Sequence, residues 1–255
     1  MRDFRFIPRY RKLLCYEIPL IMVNEIDPIF DLCKRDELVV FDIGANTGVW
    51  TKALLNHSDK FIDKLYLFEP LPGNLDILYH RVSAGFYDPH TEKIEIVSKA
   101  VSDQVRLLNL NYDQEYTGYA SISNNETLFG PQSIALSRQI QVESVTVDGF
   151  CDTEGIPQVD IMKIDVEGHE MNVLLGAERM LESHMIKNLI FEFGTHQLST
   201  HDHFKSFWNM FKSLGYQLYF LRGGTNGFGK VLIKEYHTQF EDYSKVRMFY
   251  ATVES

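Results

Sequence analysis

The stretch Val39–Trp50, VVFDIGANTGVW, leads from an apolar run through a glycine turn into a segment with helical character. Glycine lets the backbone approach a ligand closely, and the following helix offers unpaired N–H groups to a negative charge. The glycines are spaced Gly44-x-x-x-Gly48, whereas a dinucleotide-binding turn uses G-x-G-x-x-G. Asp42 also stands where it would repel a pyrophosphate. The turn therefore favours a ligand that combines a small carboxylate, a cationic centre and a nucleoside.

Strand-like and helix-like segments alternate after this turn. Helix-forming segments separate the apolar runs, which indicates a parallel sheet covered on both faces. After Leu214 the pattern changes to an antiparallel ending. The predicted fold class is therefore α/β, with a doubly wound, mostly parallel sheet and an antiparallel C-terminal strand. The strand-like runs are LVVFDIG, KLYLFEP, KIEIVSKAVS, VDIMKIDV and NLIFEFG.

Composition limits the class of protein. With 255 residues, 45% of them hydrophobic, the chain can bury a full core in one domain. The net charge of −10 argues against nucleic acid as a partner. Three widely spaced cysteines predict neither a disulfide framework nor a zinc knuckle, so we expect a reduced, cytoplasmic protein. The apolar run Ile18–Val23 is too short to span a bilayer.

We predict a helical extension over residues 1–37 and the main domain over residues 38–255. Basic residues and aromatics alternate in the extension, and two interpretations stay open. The favoured one is a helix that packs on the domain with a solvated basic side; the other is contact with an anionic membrane or glycolipid surface. Residues 104–155 lengthen one connection between predicted strands, and we predict that they form an insertion on the substrate side. The basic residues are Arg2, Arg5, Arg9, Arg11 and Lys12.

Acidic residues stand at the ends of the predicted strands. In an open sheet of this kind, ligands bind beyond the carboxyl ends of the strands, where the strand order reverses. A carboxylate at the tip of the second strand, Glu69, can accept both hydroxyls of a ribose. Together with the glycine spacing, this makes S-adenosylmethionine the favoured cofactor. The acids are Asp42, Glu69, Asp103, Asp165 and Glu192.

Six motifs in order resemble the FkbM-type methyltransferase family. They are FDIGANTG, FEP, AVSD, VTVDGF, DIMKIDVEGHE and LIFEFG, and the resemblance covers the chain from about Val39 to Gly194. The members of this family are S-adenosylmethionine-dependent enzymes that O-methylate sugars and related hydroxylated natural products. The resemblance implies a class I, Rossmann-like methyltransferase domain with seven strands. It also implies transfer of a methyl group to a hydroxyl of a glycan, a lipopolysaccharide or a glycosylated natural product.

The resemblance also assigns the residues that bind the cofactor. The turn from Asp42 to Gly48 would hold the methionine part, through Gly44, Ala45 and Asn46 in particular. Glu69 would hold the ribose and the region of Ser102 and Asp103 the adenine, and Asp165 is a further candidate for cofactor binding. Structural alternatives stand beside these roles, because Asn46 also suits a helix cap and Asp103 a turn. For Asn74 we favour the role of a helix cap.

The acceptor side is expected at the KIDVEGHE motif. A sugar hydroxyl is a poor nucleophile at neutral pH and needs a base or a metal ion. We expect Asp165 and Glu192 nearest the chemistry, Glu167 as a base or sugar ligand, and His169 as a weaker catalytic candidate. Carboxylates on neighbouring strand ends can share a divalent metal ion or position sugar hydroxyls directly, so the metal ligands stay unassigned. For Glu170, the alternative to a role in this site is that its side chain faces solvent on a helix.

Four further residues have structural predictions. Lys163 lies in a strand that should be buried, where an unpaired ammonium is costly, so it should pair with a carboxylate. The stretch THQLSTHDHF holds His196, His201 and His203, which we interpret as solvated loop histidines rather than a metal site. No oligomeric state is predicted.

Two other functions compete with sugar O-methylation. One is an NAD-dependent nucleotide-sugar oxidoreductase, against which the missing G-x-G-x-x-G and Y-x-x-x-K patterns count. The other is a non-catalytic protein that binds S-adenosylmethionine, against which the full set of acids at the strand ends counts.

Overall fold

The computed structural model describes residues 37–57, 62–122, 136–224 and 227–253. All but the last residue of the predicted extension 1–37 lies outside these ranges. The strands of the described residues are β1 Leu38–Ile43, β2 Ile62–Phe68, β3 Ile94–Val97, β4 Ala100–Val101, β5 Leu107–Tyr112, β6 Ala120–Ser121, β7 Arg138–Val145, β8 Val159–Ile164, β9 Ile186–Phe193, β10 Gln217–Gly224, β11 Gly227–Leu232 and β12 Arg247–Thr252.

The α-helices of these residues are short to medium in length. None of them is long and apolar enough to cross a membrane. Two 3₁₀ turns, Thr91–Lys93 and Thr238–Phe240, complete the helical structure of the described ranges. The α-helices are α1 Val49–His57, α2 Pro72–Ser83, α3 Val147–Glu154, α4 Glu170–Leu175, α5 Glu178–Glu182, α6 Gln197–Thr200 and α7 Phe204–Ser213.

The main sheet has the order β11-β10-β12-β9-β8-β1-β2-β3. The five strands from β9 to β3 are parallel, and β12 is antiparallel to β9. The predicted doubly wound, mostly parallel sheet with an antiparallel strand near the C-terminus is confirmed. It has one strand more than the predicted seven, because β11 adds to the edge as a hairpin with β10.

Alternate residues of the central strands face opposite sides of the sheet, as strand geometry requires. In β1, Leu38 and Val40 join one buried cluster, while Phe41 and Ile43 join another. Helix α7 covers the second side with its apolar residues spaced as on one helix face. Apolar residues thus cover both faces, which explains why the central strands are apolar along their whole length. The buried residues of α7 are Phe204, Phe207, Trp208 and Phe211.

A second sheet, in the order β4-β7-β5-β6, lies within and just before the predicted insertion 104–155. The run KIEIVSKAVS was predicted as one strand, but the structure divides it between the two sheets. β3 ends at Val97, and Lys99 N–H donates to Val97 O, which turns the chain away. Ala100 and Val101 then pair with Ser144 and Val145 of β7.

The switch point of the main sheet lies between β1 and β8. These neighbours are far apart in the chain, and the strand order proceeds from them in opposite directions. The loops beyond their carboxyl ends therefore diverge and leave room for a ligand. Those loops are the glycine turn after β1 and the KIDVEGHE loop after β8.

Candidate active site

A cavity opens at the switch point, between the main sheet and the second sheet. The glycine turn, the end of β2 and the end of β8 line it on the side of the main sheet. The second sheet contributes an opposite wall, so the predicted insertion helps to enclose the cavity. The residues that line the cavity include Gly44, Ala45, Asn46, Glu69, Asn74, Ala100, Val101, Leu110, Thr117, Gly118, Lys163, Asp165 and Glu167.

The glycine turn is packed tightly between two strand ends. The N–H groups of Gly44 and Ala45 both donate to Phe68 O at 3.0 Å. Gly44 has φ +77°, and a Cβ there would lie 1.8 Å from the backbone oxygen of Asp165. Only glycine combines this backbone conformation with so close an approach. The turn thereby fixes the ends of β2 and β8 relative to each other.

Asp42 lies beneath the turn, outside the set of residues that line the cavity. It is fully buried, its Oδ2 accepts from Thr51 Oγ1 at 2.7 Å, and its Oδ1 is 3.2 Å from Lys163 Nζ. This corrects the expectation that Asp42 contacts the ligand, because burial places its carboxylate against Lys163 and Thr51 instead.

Lys163 pairs with carboxylates, as predicted. Its ammonium is 3.2 Å from Asp42, 3.3 Å from Asp165 and 3.0 Å from Gly44 O. Burial opposes the charge, but the two carboxylates outweigh it and raise the pKa of Lys163. Asp165 lines the cavity as predicted, with a side chain 34% exposed.

Glu69 lies at the tip of β2 and lines the cavity. Its carboxylate accepts from the N–H of Asn46 and of Leu71, both at 2.8 Å. Burial raises its pKa to about 7 against these hydrogen bonds. Asn74 also hydrogen-bonds Glu69, and its amide donates to Thr117 O at 3.1 Å. The expectation that Asn74 caps a helix is wrong: the N-cap is Leu71, and Asn74 is a buried residue of α2.

Ser102, Asp103 and His169 form a group outside the set that lines the cavity. Ser102 Oγ lies 2.8 Å from Asp103 Oδ1 and 2.9 Å from His169 Nε2, and Arg106 pairs with Asp103 at 2.9 Å. Burial lowers the pKa of His169 to about 4. Ala100 and Val101, just before this group, line the cavity in its place, because the chain turns at Lys99. The contacts of His169 are structural, in place of the expected catalytic role.

The carboxylates of the KIDVEGHE loop and of β9 meet around His196. His196 Nδ1 is 2.5 Å from Glu167 Oε2, and its Nε2 is 3.7 Å from Glu192 Oε2. His196 is only 4% exposed, so the prediction of a solvated loop histidine is wrong for it. His201 and His203 are exposed, as predicted. His196 therefore lies between Glu167 and Glu192, which are two of the expected catalytic acids.

The electrostatics of this cluster favour protonation. Burial raises the pKa of Glu192 well above its usual range, and the nearby carboxylates of Asp165 and Glu167 add to the effect. Burial also raises the pKa of Glu167. For His196 burial acts in the other direction, but the hydrogen bond and charge of Glu167 raise its pKa. Several carboxylates lie here beside few positively charged groups. Shifted pKa values that result from such an arrangement are typical of a functional site.

Two buried side chains hold the loops of the cluster together. Glu170 Oε1 accepts from Val166 N at 3.0 Å and from Gly168 N at 3.3 Å, which fixes the loop that carries Glu167. Gln197 Nε2 donates to Glu170 Oε2 at 2.6 Å, and Gly194 N donates to Gln197 Oε1 at 2.6 Å. Glu170 is fully buried, so its expected solvent-facing alternative is excluded. We call Glu170 and Gln197 the loop bridge.

We expect Gln197→Leu to lower the free energy of unfolding by about 3 kcal/mol, because Glu170 and Gly194 would lose buried hydrogen-bond partners. Urea denaturation followed by circular dichroism would measure this. Gln104→Leu, at an exposed position, serves as the matched control and should change stability by less than about 0.5 kcal/mol. Equal stability of the two variants would show that the loop bridge does not hold the site.

One group of side chains in the described ranges has the composition and spacing of a metal site. Glu167, Glu192 and His196 each offer a ligand atom, and these atoms lie within 4.8 Å of one another. Asp165 lies outside this set, and its carboxylate is 3.3 Å from Lys163 Nζ. The third member of the set, His196, was missed because nothing in the local sequence marks it as buried.

Comparison with known proteins places the chain among methyltransferases. The sequence model described as the Methyltransferase FkbM domain matches residues 42–218. No curated protein matches the chain.

A solved structure of an FkbM methyltransferase has a similar fold. The FkbM methyltransferase from Methylobacillus flagellatus KT is 17% identical with a TM-score of 0.55, over 86% of this chain and 44% of that chain. The chain therefore spans less than half of that protein. The precorrin-6y C5,15-methyltransferase from Geobacter metallireducens GS-15 is 10% identical with a TM-score of 0.46, over 100% of this chain and 94% of that chain. At these identities the likeness concerns the fold alone.

Proposed function

The chain belongs to the FkbM methyltransferase family, and we propose that it transfers the methyl group of S-adenosylmethionine to a hydroxyl of a sugar. The observation that carries the proposal is that two groups of residues line the same cavity. One group is the glycine turn and Glu69, and the other is Asp165 and Glu167. The first group suits a nucleoside cofactor. The second group suits a hydroxylated acceptor.

The cofactor would lie along the cavity from the second sheet to the end of β8. Ala100, Val101 and Leu110 offer an apolar surface for the adenine, and Glu69 offers a carboxylate to the ribose hydroxyls. The turn after Gly44 leads into α1, whose N-terminus favours the carboxylate of the methionine part. Asp165 and Glu167 provide negative charge for the cationic sulfonium.

Methyl transfer requires alignment and the removal of one proton. The acceptor oxygen forms a bond to the methyl carbon, the C–S bond breaks with its electron pair going to sulfur, and the hydroxyl proton leaves for a carboxylate. Asp165 and Glu167 line the cavity and are the candidates for this proton. The raised pKa of Glu167 makes it a better proton acceptor near neutral pH than an ordinary glutamate.

Calorimetry and methyl transfer test the proposal. Calorimetry should detect binding of S-adenosylmethionine and S-adenosylhomocysteine and none of NAD. Binding of NAD alone would establish the competing oxidoreductase. Labelled S-adenosylmethionine should then methylate members of a panel that includes glycans, lipopolysaccharides and glycosylated natural products. Cofactor binding without transfer to any hydroxylated acceptor would leave the non-catalytic binding protein as the better description.

The cofactor affinity should depend on pH through Glu69. Because burial raises its pKa from 4.5 to about 7, the protonated carboxyl stabilises the fold at low pH. This contribution is lost as the pH rises from the unfolded value through about 7. Ribose binding benefits from the ionised carboxylate, so the affinity for S-adenosylmethionine should rise about tenfold between pH 6 and pH 8.

The variant Glu69→Gln isolates this effect. It should weaken S-adenosylmethionine binding about 10- to 100-fold at pH 8, since a charged hydrogen-bond acceptor is lost. The ratio of the wild-type and variant Kd values removes the titration of the ligand itself. A ratio that stays constant from pH 6 to pH 8 would show that Glu69 does not bind the ribose as a carboxylate.

A further inference from the structure

The side chains of Glu167, Glu192 and His196 converge from two adjacent strand ends. Glu167 follows β8, Glu192 lies in β9, and His196 follows β9. β8 and β9 are parallel neighbours, so their carboxyl ends lie at the same edge of the sheet. Glu167 has φ +57°, and Ser121 Oγ donates to its backbone oxygen at 2.8 Å. The second sheet and the loop bridge therefore both fix the loop that carries this carboxylate.

The three side chains have atoms close enough together to surround one ion, since their ligand atoms lie within 4.8 Å of one another. His196 Nδ1 is 2.5 Å from Glu167 Oε2. Nε2 faces Glu192 Oε2 at 3.7 Å, which is too long for a hydrogen bond. Two ligands of one ion, each about 2.1 Å from it, are typically separated by about 3 to 4 Å.

The cluster has an excess of negative charge that a cation would balance. The carboxylates of Asp165, Glu167 and Glu170 each repel the charge of Glu192, while Lys163 is shared between Asp165 and Asp42. Oε2 of Glu192 is buried, and no residue of the described ranges donates a hydrogen bond to it. A buried carboxylate without a partner is costly, and a metal ion would compensate it.

We propose that Glu167, Glu192 and His196 bind one divalent ion of the first transition series, such as Mn²⁺. The imidazole favours these ions over Mg²⁺ and Ca²⁺, which prefer all-oxygen sites. Three protein ligands leave positions open for the acceptor hydroxyl, so this inference extends the proposed methyl transfer. The ion would lower the pKa of the hydroxyl. With Glu167 engaged, the hydroxyl proton passes to Asp165, and the alkoxide oxygen takes the methyl carbon from sulfur.

Metal binding without cofactor tests the proposal directly. The probe is MnCl₂, added to the untagged full chain after chelator treatment, with bound metal measured by equilibrium dialysis and elemental analysis. We expect about one Mn²⁺ per chain. Glu192→Gln and His196→Ala should each weaken binding at least about tenfold, while His203→Ala, an exposed histidine, should leave it unchanged.

Circular dichroism and thermal melting of each variant separate lost ligands from lost folding, and the nearly isosteric Glu192→Gln is the decisive variant. Absence of Mn²⁺ binding by the wild-type chain, or binding that neither variant affects, would overturn the metal site. Calorimetry with S-adenosylmethionine in excess chelator distinguishes the two proposals. Cofactor binding that persists there would uphold the methyltransferase assignment even if the metal site failed.

Discussion

Glu167→Gln is expected to lower kcat for methyl transfer about 100- to 1,000-fold, because it removes a carboxylate that is both a candidate proton acceptor and a proposed metal ligand. Glu167 lines the cavity, its Oε2 is 2.5 Å from His196 Nδ1, and burial raises its pKa. Glutamine retains the shape but neither the charge nor the capacity to accept a proton. Steady-state assays with labelled S-adenosylmethionine and the acceptor found in the panel would measure the loss.

The binding of cofactor should respond much less. The Kd for S-adenosylmethionine should stay within about threefold of the wild-type value, because Glu69 and the glycine turn retain their contacts. Glu143→Gln is the matched control, since Glu143 has an exposed side chain on β7. A Glu167→Gln enzyme with more than a third of the wild-type kcat would exclude Glu167 from the reaction. A large rise in Kd with unchanged kcat would make it a cofactor ligand only.

The part of the site that the sequence predicted depends on local rules. Glu69, Asp165 and Glu192 follow or end buried apolar runs, and parallel strands bring their carboxyl ends to one edge. Gly44 is recognisable because a glycine between a strand and a helix is typical of a turn that binds a ligand. The pairing of Lys163 with carboxylates is predictable because an ammonium in a buried strand needs a carboxylate. In each case one segment of sequence contains the whole reason.

The missed features depend on contacts between distant segments. His196 is buried because Gln197 beside it reaches Glu170, 27 residues earlier in the chain, and folds the loop back on the cluster. The strand KIEIVSKAVS is divided because β7 pairs with Ala100 and Val101. Helices α4 and α5 are separate elements on either side of Gly176, where a Cβ would lie 2.1 Å from Ser102 O. Hydrophobic periodicity carries no signal for such pairings.

Gly44→Ala should have the largest effect on the whole molecule. Its Cβ would lie 1.8 Å from Asp165 O and 2.9 Å from Asp165 C, which are backbone atoms at the end of β8. The glycine turn or the β8 end must move, and the φ of +77° adds strain for alanine. We expect a loss of about 3 kcal/mol or more in the free energy of unfolding and at least about a hundredfold weaker cofactor binding.

Gly155→Ala separates the strain of the backbone from the close approach. Gly155 ends α3 with φ +66°, close to the φ of Gly44, but nothing lies within 4 Å of an added Cβ. It should therefore cost only about 1 kcal/mol and leave cofactor binding unchanged. Urea denaturation and calorimetry with S-adenosylmethionine would compare the two variants. Because both carry the same change at nearly the same φ, the difference between them measures how far the ligand site depends on the contact between the glycine turn and Asp165. Similar losses for both variants would mean that the turn has room to relax and that the contact does not shape the site.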